Sequence, residues 1–237
     1  MRIGSLFSGI GGLELGLEWA GVGHTVWQVE RDRYCTQVLA QHWPDATRYD
    51  DVYTVGAHNL APVDVICGGF PCPPFSSANT RTRTDRSGKD LHLWKEFARV
   101  ITELVPRAVV VENVESGWRM WLPHVRRDLR RIGYTAVPLL LRASDVGAPF
   151  YGARVFVIAT ADRYGQPASP CHEEAPSVPS PTGYARSGWG APSPAALGVA
   201  DGVPRRMDRL RAIGNAVVPQ CAYVVGRHLL SIDGVLA

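Results

Sequence analysis

The feature that most constrains the fold is an alternation of short apolar runs with longer segments of helical periodicity. The apolar runs predict strands at Ile3–Phe7, Val26–Val29, Thr47–Tyr49, Val63–Cys67, Ala108–Val111, Ala136–Leu141 and Arg154–Ala159. Helical patterns stand between them near 13–20, 33–42, 93–104 and 122–132, and a last helix is predicted over 219–230. Strand–helix alternation of this kind gives a mostly parallel sheet with helices on both faces, so the predicted fold class is α/β.

A different kind of segment interrupts this pattern between Asp162 and Pro204. It is rich in Pro, Gly, Ser and Ala and has no sustained helical or strand period. A stretch of that length is uncommon inside a compact domain, so it is either a small irregular lobe or a partly disordered linker. The aromatic side chains of Tyr184 and Trp189 favour the lobe. We expect a first domain over 1–161, the lobe over 162–206, and a C-terminal segment over 207–237 that returns to the first domain.

Composition permits one substantial core, because the chain has 237 residues and is 46% hydrophobic. The formal net charge of +3 is only mildly basic, but basic residues gather after Cys72, over 126–131 and over 205–211. Such clusters near a reactive site suit a polyanionic substrate, although solvated helix faces explain them equally well. The 126–131 cluster is typical of a solvated face, because apolar residues at helical spacing accompany it.

Cysteine usage and hydropathy bear on the cellular compartment. The five cysteines form no CxxC pair and no Cys/His metal-ligand spacing, and they are Cys35, Cys67, Cys72, Cys171 and Cys221. An odd number with one candidate reactive thiol favours a reducing compartment over a disulfide framework. The N-terminus lacks a signal-peptide hydrophobic core, and no apolar segment approaches membrane-spanning length. We therefore predict a cytoplasmic protein with no metal and no membrane association.

Cys72 follows the predicted strand Val63–Cys67 in a loop held open by Pro71, Pro73 and Pro74. Proline fixes φ and removes a backbone donor, so this loop cannot continue as helix or sheet. Open α/β sheets bind their ligands beyond the carboxyl ends of the strands, which is where this cysteine is expected. That is how a nucleophile is presented, although for a lone Pro–Cys pair a half-buried structural cysteine is the commoner explanation.

The other predicted strands also end in residues that suit a ligand. Ser8–Gly12 forms a Gly-rich turn between the first strand and the first helix, where glycine lets a ligand approach the backbone. No third glycine completes a GxGxxG pattern, and Phe7 favours a ring-stacking pocket over a pyrophosphate cradle. Glu30 is placed to accept hydrogen bonds from ribose hydroxyls, and Asp51 from an adenine amino group. One such acidic residue is more often a helix cap, but here acidic residues follow successive strands.

Taken together, these motifs resemble the cytosine-5 DNA methyltransferases, which use S-adenosylmethionine on a flipped cytosine. The matching segments occur in the order of the family, and they are Phe7–Gly12, Glu30, Asp51, Gly69–Cys72, Glu112–Val114, Arg154–Phe156 and Gly214–Pro219. Their combined order and spacing are specific, although no single motif is. The resemblance covers the chain outside its Pro-rich interval and implies a Rossmann-like methyltransferase fold.

The resemblance also implies a role for each matched residue. Cys72 would be the nucleophile that adds to carbon 6 of cytosine, Glu112 the acid at N3, and Arg154 a contact to the exocyclic oxygen. S-adenosylmethionine would be bound by Phe7, Gly9, Gly11, Gly12, Glu30, Asp51, Pro71, Asn215 and Val217. Attack on the face of the ring requires the base to leave the stack. The arginine-bearing segment 76–89 would be a mobile loop that closes over the DNA.

Three departures from the family pattern stand out. Pro73 replaces the usual Gln after the nucleophile, a change we expect to be tolerated. Gly152 stands where the pattern Gln-x-Arg-x-Arg has its middle arginine, so a backbone or loop contact is lost unless a nearby arginine supplies it. The interval that would hold the target-recognition lobe is short, and direct readout of bases needs several fixed side chains. We therefore expect a short recognition sequence or modest specificity, with Arg186 and Trp189 as candidate contacts.

Two alternatives to DNA methylation remain open. The same cysteine and glutamate would serve RNA cytosine methylation, although the insert features of the tRNA-acting branch are not seen. A catalytically silent binding module is the other alternative, and the missing arginine at Gly152 is its only support. The preferred hypothesis is a monomeric DNA (cytosine-5-)-methyltransferase that forms 5-methylcytosine and S-adenosylhomocysteine. Its expected partners are DNA and, in a restriction-modification system, a cognate endonuclease.

Overall fold

The computed structural model describes residues 1–71, 91–164 and 205–232. The strands are β1 Arg2–Leu6, β2 His24–Val29, β3 Thr47–Tyr49, β4 Val65–Gly69, β5 Ala108–Val114, β6 Tyr134–Leu141 and β7 Arg154–Ala161. The helices are α1 Gly12–Trp19, α2 Arg33–His42, α3 His92–Leu104, α4 Trp118–Arg131, α5 Arg206–Asn215 and α6 Pro219–Leu230. Short 3₁₀ helices occur at Val52–Thr54, Ala143–Val146 and Asp162–Tyr164.

The seven strands form one sheet in the order β3-β2-β1-β4-β5-β7-β6. The first five strands in that order pair in parallel, and β7 runs antiparallel to both of its neighbours, β5 and β6. The predicted α/β class with a mostly parallel sheet is therefore confirmed. The strand order reverses between β1 and β4, which is where sheets of this kind open a crevice for ligands.

Alternate residues of each strand enter two hydrophobic cores, one on each face of the sheet. On one face, Trp94 and Phe97 of α3 and Trp121 of α4 pack against strand residues such as Ile66 and Val109. On the other face, α1 and α6 cover residues such as Val65 and Val110. Helices on both faces are thus confirmed. No helix in the described part of the chain is long and apolar enough to cross a membrane.

Helices α1 and α6 pack so closely that their backbones nearly touch. A Cβ atom added to Gly16 of α1 would collide with the Pro219 carbonyl oxygen and the Ala222 side chain of α6. Gly226 of α6 packs against Ala20 in the same way. The last helix is therefore fixed against the first one, although more than two hundred positions separate them in sequence.

Helix α5 was not predicted from the sequence. Ordered structure was expected to resume at Met207, but the next helix was expected only at 219. Its apolar side chains Met207, Leu210 and Ile213 are 65%, 38% and 42% exposed, so no buried stripe marks it. Helix α4 also begins earlier than predicted, at Trp118, and includes Pro123 one turn into the helix. Proline has no backbone N–H group, so the hydrogen bond that would run back to the residue four positions earlier is missing at this point of the helix.

Candidate active site

A cavity of about 490 Å³ opens at the carboxyl ends of β1, β2, β4 and β5. It is lined by most of the residues that the sequence nominated, namely Phe7, Gly9, Gly12, Glu30, Asp51, Pro71, Glu112, Arg154, Asn215 and Val217. Gly11 is not part of the lining. Cys72 lies outside the described residues, but the preceding Pro71 borders the cavity. The described part of the chain contains no cluster of side chains suited to a metal ion.

The glycines of the first turn serve separate purposes. Gly9 has a φ of 56° and lies at the cavity with no atom near its missing Cβ. Gly11 caps α1 with a φ of 86°, and a side chain there would collide with the Trp43 ring. A Cβ at Gly12 would collide with the Val217 carbonyl oxygen. The turn therefore leaves space for a ligand at Gly9 and packs against the C-terminal segment at Gly12.

Glu30 ties the end of β2 to this turn. Its Oε2 accepts a hydrogen bond from the Gly9 N–H and its Oε1 accepts one from the Asp32 N–H, each at 2.7 Å. Each carboxylate oxygen can accept a second hydrogen bond, so the group can still bind a hydroxyl. Asp51 caps the following 3₁₀ helix, where its Oδ1 accepts a hydrogen bond from the Tyr53 N–H at 2.9 Å. Both acidic residues thus accept backbone hydrogen bonds while lining the cavity.

At the other end of the cavity, Glu112 and Arg154 form a shielded ion pair. The Arg154 Nε lies 2.9 Å from Glu112 Oε1, because antiparallel pairing sets Arg154 of β7 opposite Val114 of β5. Glu112 is only 7% exposed. Burial raises the pKa of its carboxyl to about 7, although the Arg154 charge acts in the opposite direction. A carboxyl with this pKa carries a proton at neutral pH in a large share of molecules and can donate a hydrogen bond.

Asn113 connects Glu112 to the loop that leads toward Cys72. Its side-chain Nδ2 donates a hydrogen bond to the Phe70 carbonyl oxygen at 3.0 Å, and its Oδ1 accepts one from the Val114 N–H at 2.8 Å. Asn113 belongs to a motif recognised in the sequence, but no function was assigned to it there. Its position beside Glu112 and its amide side chain were the features of the sequence that could have indicated a structural role. Asn113 fixes the end of β4 two residues before the candidate nucleophile.

The C-terminal segment forms another side of the cavity. Arg211 and Asn215 of α5 line it together with Val217, which follows the helix. Arg211 lies 4.0 Å from the Asp32 carboxylate, and Arg205 donates a hydrogen bond to Gln37 of α2. Helix α5 therefore contacts α2 beside the cavity. The sequence motifs nominated Asn215 and Val217 for the site, whereas Arg211 was noted only within the basic cluster over 205–211, because the helix that carries it was not predicted.

The backbone accounts for the departure at Gly152. This residue has a φ of 45°, and a Cβ there would press on the Phe150 ring and the Ala143 side chain. An arginine could not be accommodated without a local rearrangement. A nearby arginine, Arg142, stacks on the exposed Tyr151 ring at 5.5 Å and does not line the cavity. In the described region, Arg154 is the arginine that this segment supplies to the cavity.

The chain is similar to known proteins in both sequence and fold. The family model for C-5 cytosine-specific DNA methylases matches residues 1–186. The chain belongs to this family. The type II methyltransferase M1.HphI of Haemophilus parahaemolyticus is 33% identical over 168 residues, which cover 66% of this chain and 45% of that protein. The type II methyltransferase M.HgiCII of Herpetosiphon aurantiacus is 32% identical over 173 residues, covering 70% and 38%.

A family member of known structure has the same fold. It is a candidate DNA modification methyltransferase encoded within a prophage of E. coli, with a TM-score of 0.57 and 28% sequence identity. The match covers 69% of this chain and 47% of that chain. The present chain thus spans about half the length of the family members it matches. The resemblance inferred from the sequence motifs is confirmed at the level of family and Rossmann-like fold.

Proposed function

We propose that this protein transfers a methyl group from S-adenosylmethionine to carbon 5 of a flipped cytosine in DNA, through a covalent adduct with Cys72. One observation carries the proposal above others. A buried carboxyl with a pKa of about 7, Glu112, shares a single cavity with the Gly-rich turn and with Pro71, the residue before the nucleophile. The name of M1.HphI, a type II methyltransferase, supports the same chemistry.

The residues at the β1–β3 end of the cavity fit the adenosine part of the methyl donor. The Phe7 ring offers an apolar surface for a purine, and the carboxylates of Glu30 and Asp51 offer acceptors for hydroxyl and amino groups. Glu30 retains acceptor capacity after its two backbone hydrogen bonds. When bound, the donor supplies an electrophilic methyl group on a positively charged sulfur. The remaining members of the proposed binding set are Gly9, Gly11, Gly12, Pro71, Asn215 and Val217.

The proposed reaction begins with addition of the Cys72 thiolate to carbon 6 of the cytosine. Protonated Glu112 donates its hydrogen bond or proton to N3, so electron density moves to carbon 5. Arg154 contacts the exocyclic oxygen and keeps the Glu112 carboxyl in position. Carbon 5 then takes the methyl group, a base removes the carbon 5 proton, and the thiolate leaves. The products are 5-methylcytosine and S-adenosylhomocysteine.

The wider organisation is proposed on the same basis. Residues 1–161 form the catalytic and donor-binding domain, 162–206 a short target-recognition lobe, and 207–237 the segment that completes the catalytic domain. The partner is DNA, bound by a monomer, and a cognate restriction endonuclease is a further expected partner. A cytoplasmic location remains a prediction.

Capture of the covalent adduct tests the proposal. Duplex DNA carrying 5-fluorocytosine is incubated with S-adenosylmethionine and the purified protein, because fluorine at carbon 5 prevents release of the cysteine. We expect a denaturation-resistant complex with the wild type and none with Cys72→Ser, which still binds the donor. Bisulfite sequencing of host DNA after expression would identify the methylated site. Adducts on tRNA in place of duplex DNA would favour RNA methylation, and donor binding with no adduct on either would favour a silent binding module.

A further inference from the structure

Glu14 is a carboxyl that the proposed reaction does not use. It lies in the first turn of α1 and forms part of the lining beneath the Gly-rich turn, yet it is 0% exposed. Neither of its oxygens has a hydrogen-bond partner among the residues that the structure describes. A buried acceptor without a donor carries a cost of several kcal/mol if charged, so such groups are rare. This carboxyl is therefore placed for a donor that the described part of the protein does not provide.

The described surroundings of Glu14 are polar, and no basic side chain is among the main influences on its pKa there. The Ser5 and Ser8 hydroxyls are close enough to lower the pKa of Glu14 in part, although Ser8 donates its hydrogen bond to Ser5 at 2.9 Å. Glu18 on α1 adds like charge, and the buried Cys67 thiol of β4 interacts with the Glu14 carboxyl. Burial outweighs the serines and raises the pKa of Glu14 to about 7.

Of the described basic residues in the cavity lining, Arg154 and Arg211 are paired with carboxylates other than Glu14. Arg154 pairs with Glu112 at the far end, and Arg211 approaches Asp32. Arg31 also belongs to the cavity lining. On α6, which packs along α1 in the same direction, the basic residues are in the last turn, beside the C-terminal end of α1. Glu14 sits at the opposite, N-terminal end.

We propose that Glu14 binds the α-ammonium group of the methionine part of the methyl donor. This inference rests on the proposed function. With adenosine near Phe7, Glu30 and Asp51, the methionine part would extend along the Gly-rich turn, which lines the same cavity as Glu14. An ammonium group has three donors and one positive charge, which matches two unpartnered carboxylate oxygens. Glu14 would then fix the amino-acid end of the donor, at the floor of the cavity.

Three ligands that differ in charge test this assignment by calorimetry. S-adenosylmethionine has a sulfonium and an ammonium group, S-adenosylhomocysteine has only the ammonium group, and 5′-methylthioadenosine has neither. For Glu14→Gln we expect the first two to bind about tenfold or more weakly than to the wild type. Binding of 5′-methylthioadenosine should be unchanged, which also shows that the variant is folded. Glu18→Gln is the matched control, since Glu18 is one turn further on and outside the lining, and it should leave all three affinities unchanged.

Other outcomes contradict the assignment in distinct ways. Loss confined to S-adenosylmethionine would place the sulfonium beside Glu14 instead of the ammonium group. If each of the three ligands binds Glu14→Gln with the same affinity as it binds the wild type, Glu14 serves only an internal network with its buried neighbours Ser5 and Ser8. Failure of the wild type to bind S-adenosylmethionine at all would overturn the proposed function itself.

Proton release gives a second, independent readout. A cation beside Glu14 favours its ionised form, so binding near pH 7 should expel a proton. The wild type should therefore show a binding enthalpy that depends on the ionisation enthalpy of the buffer. Glu14→Gln should lose most of this dependence, whereas Glu112→Gln, which removes the other carboxyl with a pKa of about 7, should keep it. Loss of the dependence only in Glu112→Gln would contradict the proposal.

Discussion

Glu112 experiences two opposing influences on its pKa. Its burial against β4 and β7 disfavours the charged form, and the Arg154 guanidinium at 2.9 Å favours it. Burial has the larger effect, so the pKa is raised to about 7. Near neutral pH the carboxyl can therefore lend a proton to a ring nitrogen and recover it. That balance is what an acid at N3 of cytosine needs.

We expect Glu112→Gln to slow methyl transfer by about a hundredfold or more, because the amide cannot deliver a proton. Single-turnover transfer from radiolabelled S-adenosylmethionine to duplex DNA measures the effect. Donor binding and thermal unfolding of the variant should resemble those of the wild type. A transfer rate equal to that of the wild type would remove Glu112 from the mechanism.

Replacing Arg154 with Met should raise the pKa of Glu112 further, because the charge that lowers it is removed. The protonated form then persists to higher pH, so the alkaline fall in the single-turnover rate should move upward in pH. Arg142→Met is the control, since Arg142 stacks on Tyr151 away from the cavity. An alkaline limb that stays in place in Arg154→Met would show that Glu112 protonation does not limit the rate.

At the scale of elements, the contact between α1 and α6 supports one wall of the cavity. The absence of side chains at Gly16 and Gly226 lets the two helices approach closely. Val217, just before α6, rests on Gly12 in the first turn of α1. Packing between these helices and the shape of the donor site are therefore linked.

Gly16→Ala should lower the free energy of unfolding by about 1–3 kcal/mol, because the new methyl group collides with the Pro219 carbonyl and Ala222. Weaker donor binding should accompany the loss, since α6 must move. Urea denaturation and calorimetry measure the two effects. Gly214→Ala in α5 is the matched control, since no atom lies near its missing Cβ, and it should be neutral or slightly stabilising. Equal stability of the two variants would contradict the assigned contact.

Elements with a buried face were predictable from sequence, and those without one were not. Helix α3 buries Trp94, Phe97, Val100 and Ile101 on one side, so its periodicity was plain. Helix α5 buries only Ala212, and no pattern revealed it. The antiparallel direction of β7 was also not predicted, because local sequence does not encode the direction of a strand relative to its neighbours.

The cavity as a whole was only partly predictable. Residues in recognisable motifs, such as Glu30 and Glu112, were named from the sequence. Arg211 and Glu14 were not assigned roles, because their importance depends on distant segments that the fold brings together. Periodicity reports burial, but it does not report that a buried carboxyl lacks a partner.

For the whole molecule, two buried carboxyls make stability depend on pH. Glu14 and Glu112 have pKa values of about 7, raised from 4.5, so the native state holds more protons than the unfolded state between these values. The contribution of these two groups to the free energy of unfolding is therefore fully present below about pH 4.5 and is lost as the pH rises through 7. The upper limit is about 3 kcal/mol for each group.

We expect the free energy of unfolding of the ligand-free protein to fall between about pH 5 and pH 8. The double variant Glu14→Gln/Glu112→Gln should show a flatter profile over this interval. Urea denaturation at a series of pH values measures both. Parallel profiles for the wild type and the double variant would show that neither carboxyl retains its proton in the native state.

The close contact between Val217 and Gly12 has a consequence for synthesis on the ribosome. The first βα turn is made early, but one wall of its pocket comes from residues made some two hundred positions later. A nascent chain that has not yet reached Val217 lacks that wall. Competence to hold a methyl donor should therefore arise late, when α6 docks, and incomplete chains should not sequester the donor.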